Sequence, residues 1–239
     1  MDPEKLITTN EGFSCSDGFS MPAYIARPES SKRLPALLFV FDIFGSTTEM
    51  RRVADDFAGG GYVVMMPDLF SRGSWFSCVR KLMADIKAGS GLSVQDLLDA
   101  RAWLAGREYV DAAHTATIGF CMGGAFALIL AKSGLFQVAA PFYGQAPAKL
   151  DGACPIVASY GGRDKPLLAE FEKVKQEVER LNIPNDLKLY PGAGHGFMSS
   201  APNPVLEFLM SKLPVHAGYN PQAAADATAR VLSFLKAHI

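Results

Sequence analysis

From Leu34 to the C-terminus, short apolar runs alternate with longer stretches of mixed polarity, the pattern of strand-helix-strand units around a largely parallel sheet. The runs Ala36–Phe41, Tyr62–Met66, Ala116–Phe120, Val138–Phe142, Ile156–Tyr160 and Leu187–Tyr190 are predicted strands. Their near-continuous apolar character is what burial on both sheet faces requires. Helices fit between and after them. Thr48–Ala58 opens at a threonine pair, Ser93–Leu104 at a Ser-x-x-Asp resembling a capping box, and Pro166–Leu181 with proline in its first turn. Pro221–Ala237 follows Asn220 as N-cap. Ahead of this series, Gly12–Ser16 and Phe19–Arg27 flank a Ser16-Asp17-Gly18 turn and predict an antiparallel hairpin at one end. No repeat, low-complexity tract or linker interrupts the chain. Its 239 residues, 49% of them apolar, are therefore read as one α/β domain spanning 1–239.

Charge narrows the partners. Lysine and arginine number 23 against 24 acidic residues, a net charge of -1, with no long run of either sign to follow a phosphate backbone or an anionic bilayer. Neither nucleic acid nor a membrane surface is expected as a partner. The longest apolar stretch, Ile118–Ala131, is shorter than the roughly 20 residues that span a bilayer. The segment Met1–Asn10 carries Asp2, Glu4 and Lys5 and no apolar core, unlike a secretory signal, so a cytoplasmic location is expected. Four cysteines, Cys15, Cys78, Cys121 and Cys154, are scattered without a CxxC pair or a His/Cys cluster, which disfavours a disulfide framework and a zinc site.

In a parallel sheet the carboxyl ends of the strands face a common crevice, and reactive groups belong there. Three residues stand at such positions. Cys121 lies in Gly119-Phe-Cys-Met-Gly123, where an apolar strand runs directly into a helix, the context of a nucleophile elbow. The glycines leave room for a strained bend, and a helix N-terminus favours thiolate over thiol. His195 follows another strand in Tyr190-Pro-Gly-Ala-Gly-His195-Gly-Phe197, a glycine-rich loop suited to a general base. Asp164, in Gly161-Gly-Arg-Asp164-Lys-Pro166, has two readings: it orients the imidazole, or it caps the helix beginning near Pro166. The chain order of nucleophile, acid and histidine favours the first. His114, His216, His238 and the other three cysteines have no comparable setting. The chemistry calls for no cofactor and no metal.

Together, Phe41-Asp-Ile-Phe-Gly45, Gly61-Tyr-Val-Val-Met-Met-Pro-Asp-Leu-Phe70, Gly119-Phe-Cys-Met-Gly-Gly124, Gly161-Gly-Arg-Asp164 and Gly194-His-Gly-Phe197 resemble the dienelactone hydrolase family of α/β-hydrolases. The resemblance implies an α/β-hydrolase fold, with a mostly parallel sheet and helices on both faces. It also implies a Cys121-Asp164-His195 triad opening a small-molecule ester or lactone through an acyl-enzyme, and an oxyanion hole from the amides of Met122 and Ile43. Two departures qualify it. Where the family commonly has glutamate before Ile-Phe-Gly, this chain has Asp42, a candidate auxiliary carboxylate one methylene shorter. Where dienelactone-specific members place an arginine shortly after the histidine, this chain has Phe197-Met-Ser-Ser200. Arg72 and Arg80 are then candidates for holding a substrate anion, and Trp75, Phe76, Tyr143 and Phe197 for lining an apolar pocket. A different class, a ligand-binding or thiol-sensing protein on a hydrolase scaffold, remains the alternative. Thiol-disulfide exchange ranks last because no resolving cysteine lies near Cys121.

Overall fold

The computed structural model describes residues 6–239; the reading of Asp2, Glu4 and Lys5 lies outside the described residues. Two strands, β1 (Leu6–Ser14) and β2 (Ser20–Pro28), pair antiparallel in the expected hairpin; β1 starts six residues earlier than the sequence pattern marks, and β2 is shifted by one residue. Six further strands follow: β3 (Leu34–Val40), β4 (Val63–Pro67), β5 (Val110–Phe120), β6 (Val138–Phe142), β7 (Ile156–Gly161) and β8 (Asn185–Tyr190). They form one eight-stranded sheet in the order β1-β2-β4-β3-β5-β6-β7-β8. From β4 to β8 every pairing is parallel, and β2 joins β4 antiparallel. The predicted strands all form. The main difference is β5, which begins six residues before Ala116 at Val110.

Helices cover both faces of the sheet. The helix α1 (Thr48–Ala58) is capped by Thr47, whose hydroxyl accepts from the Met50 amide. Then come α2 (Trp75–Ala88), α3 (Leu92–Ala105), α4 (Met122–Leu130), α5 (Leu168–Leu181), α6 (Pro204–Ser211) and α7 (Pro221–His238). Asn220 and Pro221 start α7 as expected, with the Asn220 side chain accepting from Ala223. Two expectations fail at helix starts. Ser93 does not cap α3: the helix begins at Leu92, and the Ser93 amide donates to Asp85 of α2. Pro166 sits in a separate 3-10 turn, Lys165–Leu167, ahead of α5.

The sheet order puts β5 at the centre, between β3 and β6, and β5 delivers the chain into α4. Every residue of α4 is buried. It packs on β5 and β6, so its N-terminus is fixed at the carboxyl edge of the sheet. No helix among the described residues is long and apolar enough to cross a membrane.

Candidate active site

Cys121 occupies the bend between β5 and α4 with φ 55° and ψ -114°, a conformation that costs an L-residue energy. The bend closes because Gly119 and Gly123, two residues to either side, lack side chains. A Cβ on Gly119 would run into the Gly123 carbonyl, and one on Gly123 would run into the carbonyls of Val40 and Phe41. The Cys121 amide donates to the Phe142 carbonyl at 3.0 Å, tying the bend to β6. Of the four cysteines, Cys121 alone lines the cavities described below; Cys15 and Cys78 are buried elsewhere, and burial pushes the Cys154 thiol up to about 12.

Asp164 stands just past β7, fully buried, and its side chain caps no helix. Its Oδ2 instead accepts from His195 Nδ1 at 2.6 Å. That contact fixes the ring so that Nε2 is the nitrogen left for Cys121. Burial opposes charge on His195, but the Cys121 sulfur and the Asp164 carboxylate outweigh it and raise the imidazole to about 10. The His195 amide donates to the Val215 carbonyl at 2.8 Å and the Asp164 amide to the Gly161 carbonyl at 3.2 Å, so both are anchored through their backbones. The remaining histidines are engaged elsewhere: His114 with Asp111, His216 with Ser211, and His238 stacked on Phe234.

Asp42, after β3, is also buried in this crevice. Its carboxylate accepts from the Phe44 amide at 2.8 Å. Burial raises it to about 6 against the opposing pulls of that amide and of His195. Tyr143, after β6, has positive φ and sets its ring 4.9 Å from the His195 ring. Its phenol is pushed well up by burial first, then by the charges of Asp42 and Cys121.

Two cavities, of about 240 Å³ and about 270 Å³, meet at Cys121 and share Ile43, Tyr143, His195 and Val215. Asp42 and Phe44 belong to the first, and Met122, Ala125 and Gln145 to the second. The amides of Ile43 and Met122 have no backbone acceptor in the turns and caps among the described residues. Both are therefore available to an incoming oxygen.

Other candidates lie elsewhere. The Arg72 guanidinium is committed to Asp96, at 2.6 and 2.7 Å, and to Asp17 at 2.8 Å, so it holds the hairpin turn against α3. Arg80 is exposed on α2 and lines neither cavity. Phe197 is fully buried beneath the site, packed on Tyr143 and Tyr190. Trp75 and Phe76 are exposed, and neither lines the cavities, although the Trp75 indole donates to the Ile43 carbonyl. Sequence reasoning missed the walls supplied by α2, through Met83 and Ile86, and by α6, through Glu207 and Met210. A signal existed for α6: Asn203-Pro204 starts it just as Asn220-Pro221 starts α7.

The sequence model of the dienelactone hydrolase family matches residues 21–239. A protein of Escherichia coli (strain K12) provisionally named carboxymethylenebutenolidase is 30% identical over 203 residues, covering 76% of this chain and 74% of its own. A Bradyrhizobium protein, provisionally named 2-oxo-3-(5-oxofuran-2-ylidene)propanoate lactonase, is 28% identical over 245 residues, covering 94% and 92%. Among solved structures, a dienelactone hydrolase-like promiscuous phosphotriesterase from metagenomic libraries superposes with a TM-score of 0.79 at 20% identity, covering 98% of each chain. That likeness bears on the fold.

Proposed function

The chain belongs to the dienelactone hydrolase family, and on that premise we propose that it hydrolyses a small ester or lactone with Cys121 as nucleophile, His195 as proton shuttle and Asp164 as the group that orients the imidazole. The Cys121 thiol gives its proton to His195 Nε2, its sulfur attacks the carbonyl carbon, and the C=O electron pair moves onto oxygen. The oxyanion is received by the amides of Ile43 and Met122, donors of a kind whose removal typically costs about 3–4 kcal/mol. Collapse expels the alcohol, which takes its proton from His195 Nε2, and leaves a thioester on Cys121. Water then attacks the thioester carbonyl and gives its proton to Nε2. The second collapse releases the carboxylic acid and restores the sulfur. Asp42 is an auxiliary carboxylate in this scheme. With its carboxyl raised to about 6, it can take up or release a proton near neutral pH in the cavity that Cys121 and His195 also line.

The observation that carries this reading is the position of His195, bonded to Asp164 at 2.6 Å and drawn to the charged state first by Cys121. The substrate is a small molecule rather than a nucleic acid, supported by two compact cavities and a near-zero net charge. A cytoplasmic setting is supported by four unpaired cysteines. The test is a pre-steady-state assay with a chromogenic ester and intact-mass detection. The expected result is one acyl group per chain, on Cys121, and a product burst abolished by prior alkylation. A burst unchanged after complete alkylation of Cys121 overturns the mechanism.

A further inference from the structure

Apart from His195, the charged groups lining the two cavities among the described residues are carboxylates: Asp42 and Glu207 in the first, Asp164 in the second. Among the described residues, neither cavity wall contains a lysine or an arginine. Charge on the His195 imidazole is already balanced by Asp164 and Cys121. Arg72, which the sequence offers as an anion partner, is consumed by Asp96 and Asp17. The remaining wall is mainly apolar, with Phe44, Met210, Met83 and Leu167 among its members.

Glu207 is held in place. Its Oε2 accepts from the Ala201 amide at 3.3 Å and its Oε1 from the Tyr219 amide at 3.2 Å, so one side chain of α6 ties together the two loops flanking the first cavity. Two amide dipoles steady the carboxylate but supply no countercharge. A carboxylate on an entering ligand would meet like charge in a partly desolvated space, and repulsion of this kind is how sites reject wrong ligands.

We propose that Glu207 is a specificity-determining residue which, with Asp42, restricts the site to esters uncharged in both the acyl and the alcohol part, one part in each cavity. This rests on the hydrolase reading above and names its substrate class.

The experiment compares 4-nitrophenyl butyrate with two carboxylated counterparts, the 4-nitrophenyl hemiester of glutaric acid and 4-butyryloxybenzoate. Binding is measured to the Cys121→Ala protein, so that the preference is read whether or not turnover occurs. The neutral ester is expected to bind at least about tenfold more tightly than either anion, and the gap to narrow at high salt. Comparable affinity for the anions overturns the proposal. Glu207→Gln is expected to narrow the gap by about tenfold. Met210→Lys, which adds a cation to the same wall without touching the Glu207 tether, is expected to narrow it independently. A gap unmoved by both substitutions also overturns the assignment. Failure of the hydrolase reading looks different: no Cys121-dependent product from any of the three esters with the unmodified enzyme.

Discussion

The indole N–H of Trp75 donates to the carbonyl oxygen of Ile43 at 2.9 Å, so the first residue of α2 restrains the turn that carries Ile43 into both cavities. The Ile43 amide is one of the two proposed oxyanion donors, and no side-chain substitution can delete an amide. Its restraint can be deleted.

Trp75→Phe keeps an aromatic ring and removes the donor. Trp75 is 51% exposed, so water can replace the lost bond and stability should change little. The expected outcome is a fall in kcat of about 3- to 10-fold with KM nearly constant, less than the roughly 100-fold loss from removing an oxyanion donor outright. Unaltered steady-state kinetics would mean the turn holds itself.

The strain at Cys121 makes a separate prediction about stability. In ordinary backbone, glycine is less stable than alanine by roughly 0.5–1 kcal/mol. At φ 55° and ψ -114° that order should reverse, because alanine retains the Cβ that the bend resists. Cys121→Gly is expected to be about 1–2 kcal/mol more stable than Cys121→Ala in urea denaturation, with both inactive. The usual order, glycine below alanine, would show that the bend stores no strain.

The sheet was legible in the chain because strands buried on both faces must be apolar almost throughout, and Val138–Phe142 and Ile156–Tyr160 can hide that signal in no other element. The strand ends then marked Cys121, Asp164 and His195. For Asp164 only chain order favoured one reading, because orienting an imidazole and capping a helix ask for the same residue type at the same place; in the structure the carboxylate accepts from His195 at 2.6 Å and caps no helix. Long-range pairing was equally hidden. Arg72 is a plausible anion ligand until Asp96 and Asp17 arrive from distant segments to claim it. The helix α6 escaped notice because it exposes Val205, Phe208 and Leu209, so its apolar positions do not form the single stripe by which surface helices are recognised.

The coupling of His195 to Cys121 sets a titration. The imidazole is raised to about 10 by Cys121 first among the favourable influences and by Asp164 after it. An NMR titration of the resting enzyme should therefore show a His195 midpoint near pH 10. In Cys121→Ala the same resonance should move down toward the ordinary histidine value of about 6.5. Because the folded value lies above the unfolded one, charge on His195 contributes stability that is fully present below about pH 6.5 and is lost as pH rises through about 10. The stability difference between the wild-type and Cys121→Ala proteins should shrink over that window. A His195 resonance indifferent to the Cys121 substitution would sink the pairing.

Asp42 carries the opposite conflict, between stability and use. Its carboxyl is raised from 3.8 to about 6 by burial, so the folded protein holds that proton more tightly than the unfolded chain does. Its contribution therefore favours folding in acid and declines as pH rises from about 4 to 6, leaving a cost at neutral pH. Asn in its place can still accept from the Phe44 amide but cannot ionise. Asp42→Asn should accordingly gain about 1–3 kcal/mol at pH 7 and nothing at pH 4, as measured by urea denaturation at both values. If the carboxylate assists Cys121 as proposed, the same variant loses activity while gaining stability, the trade expected of a buried group kept for its chemistry. Equal stabilisation at both pH values would trace the effect to packing, and stabilisation with full activity would remove Asp42 from the mechanism.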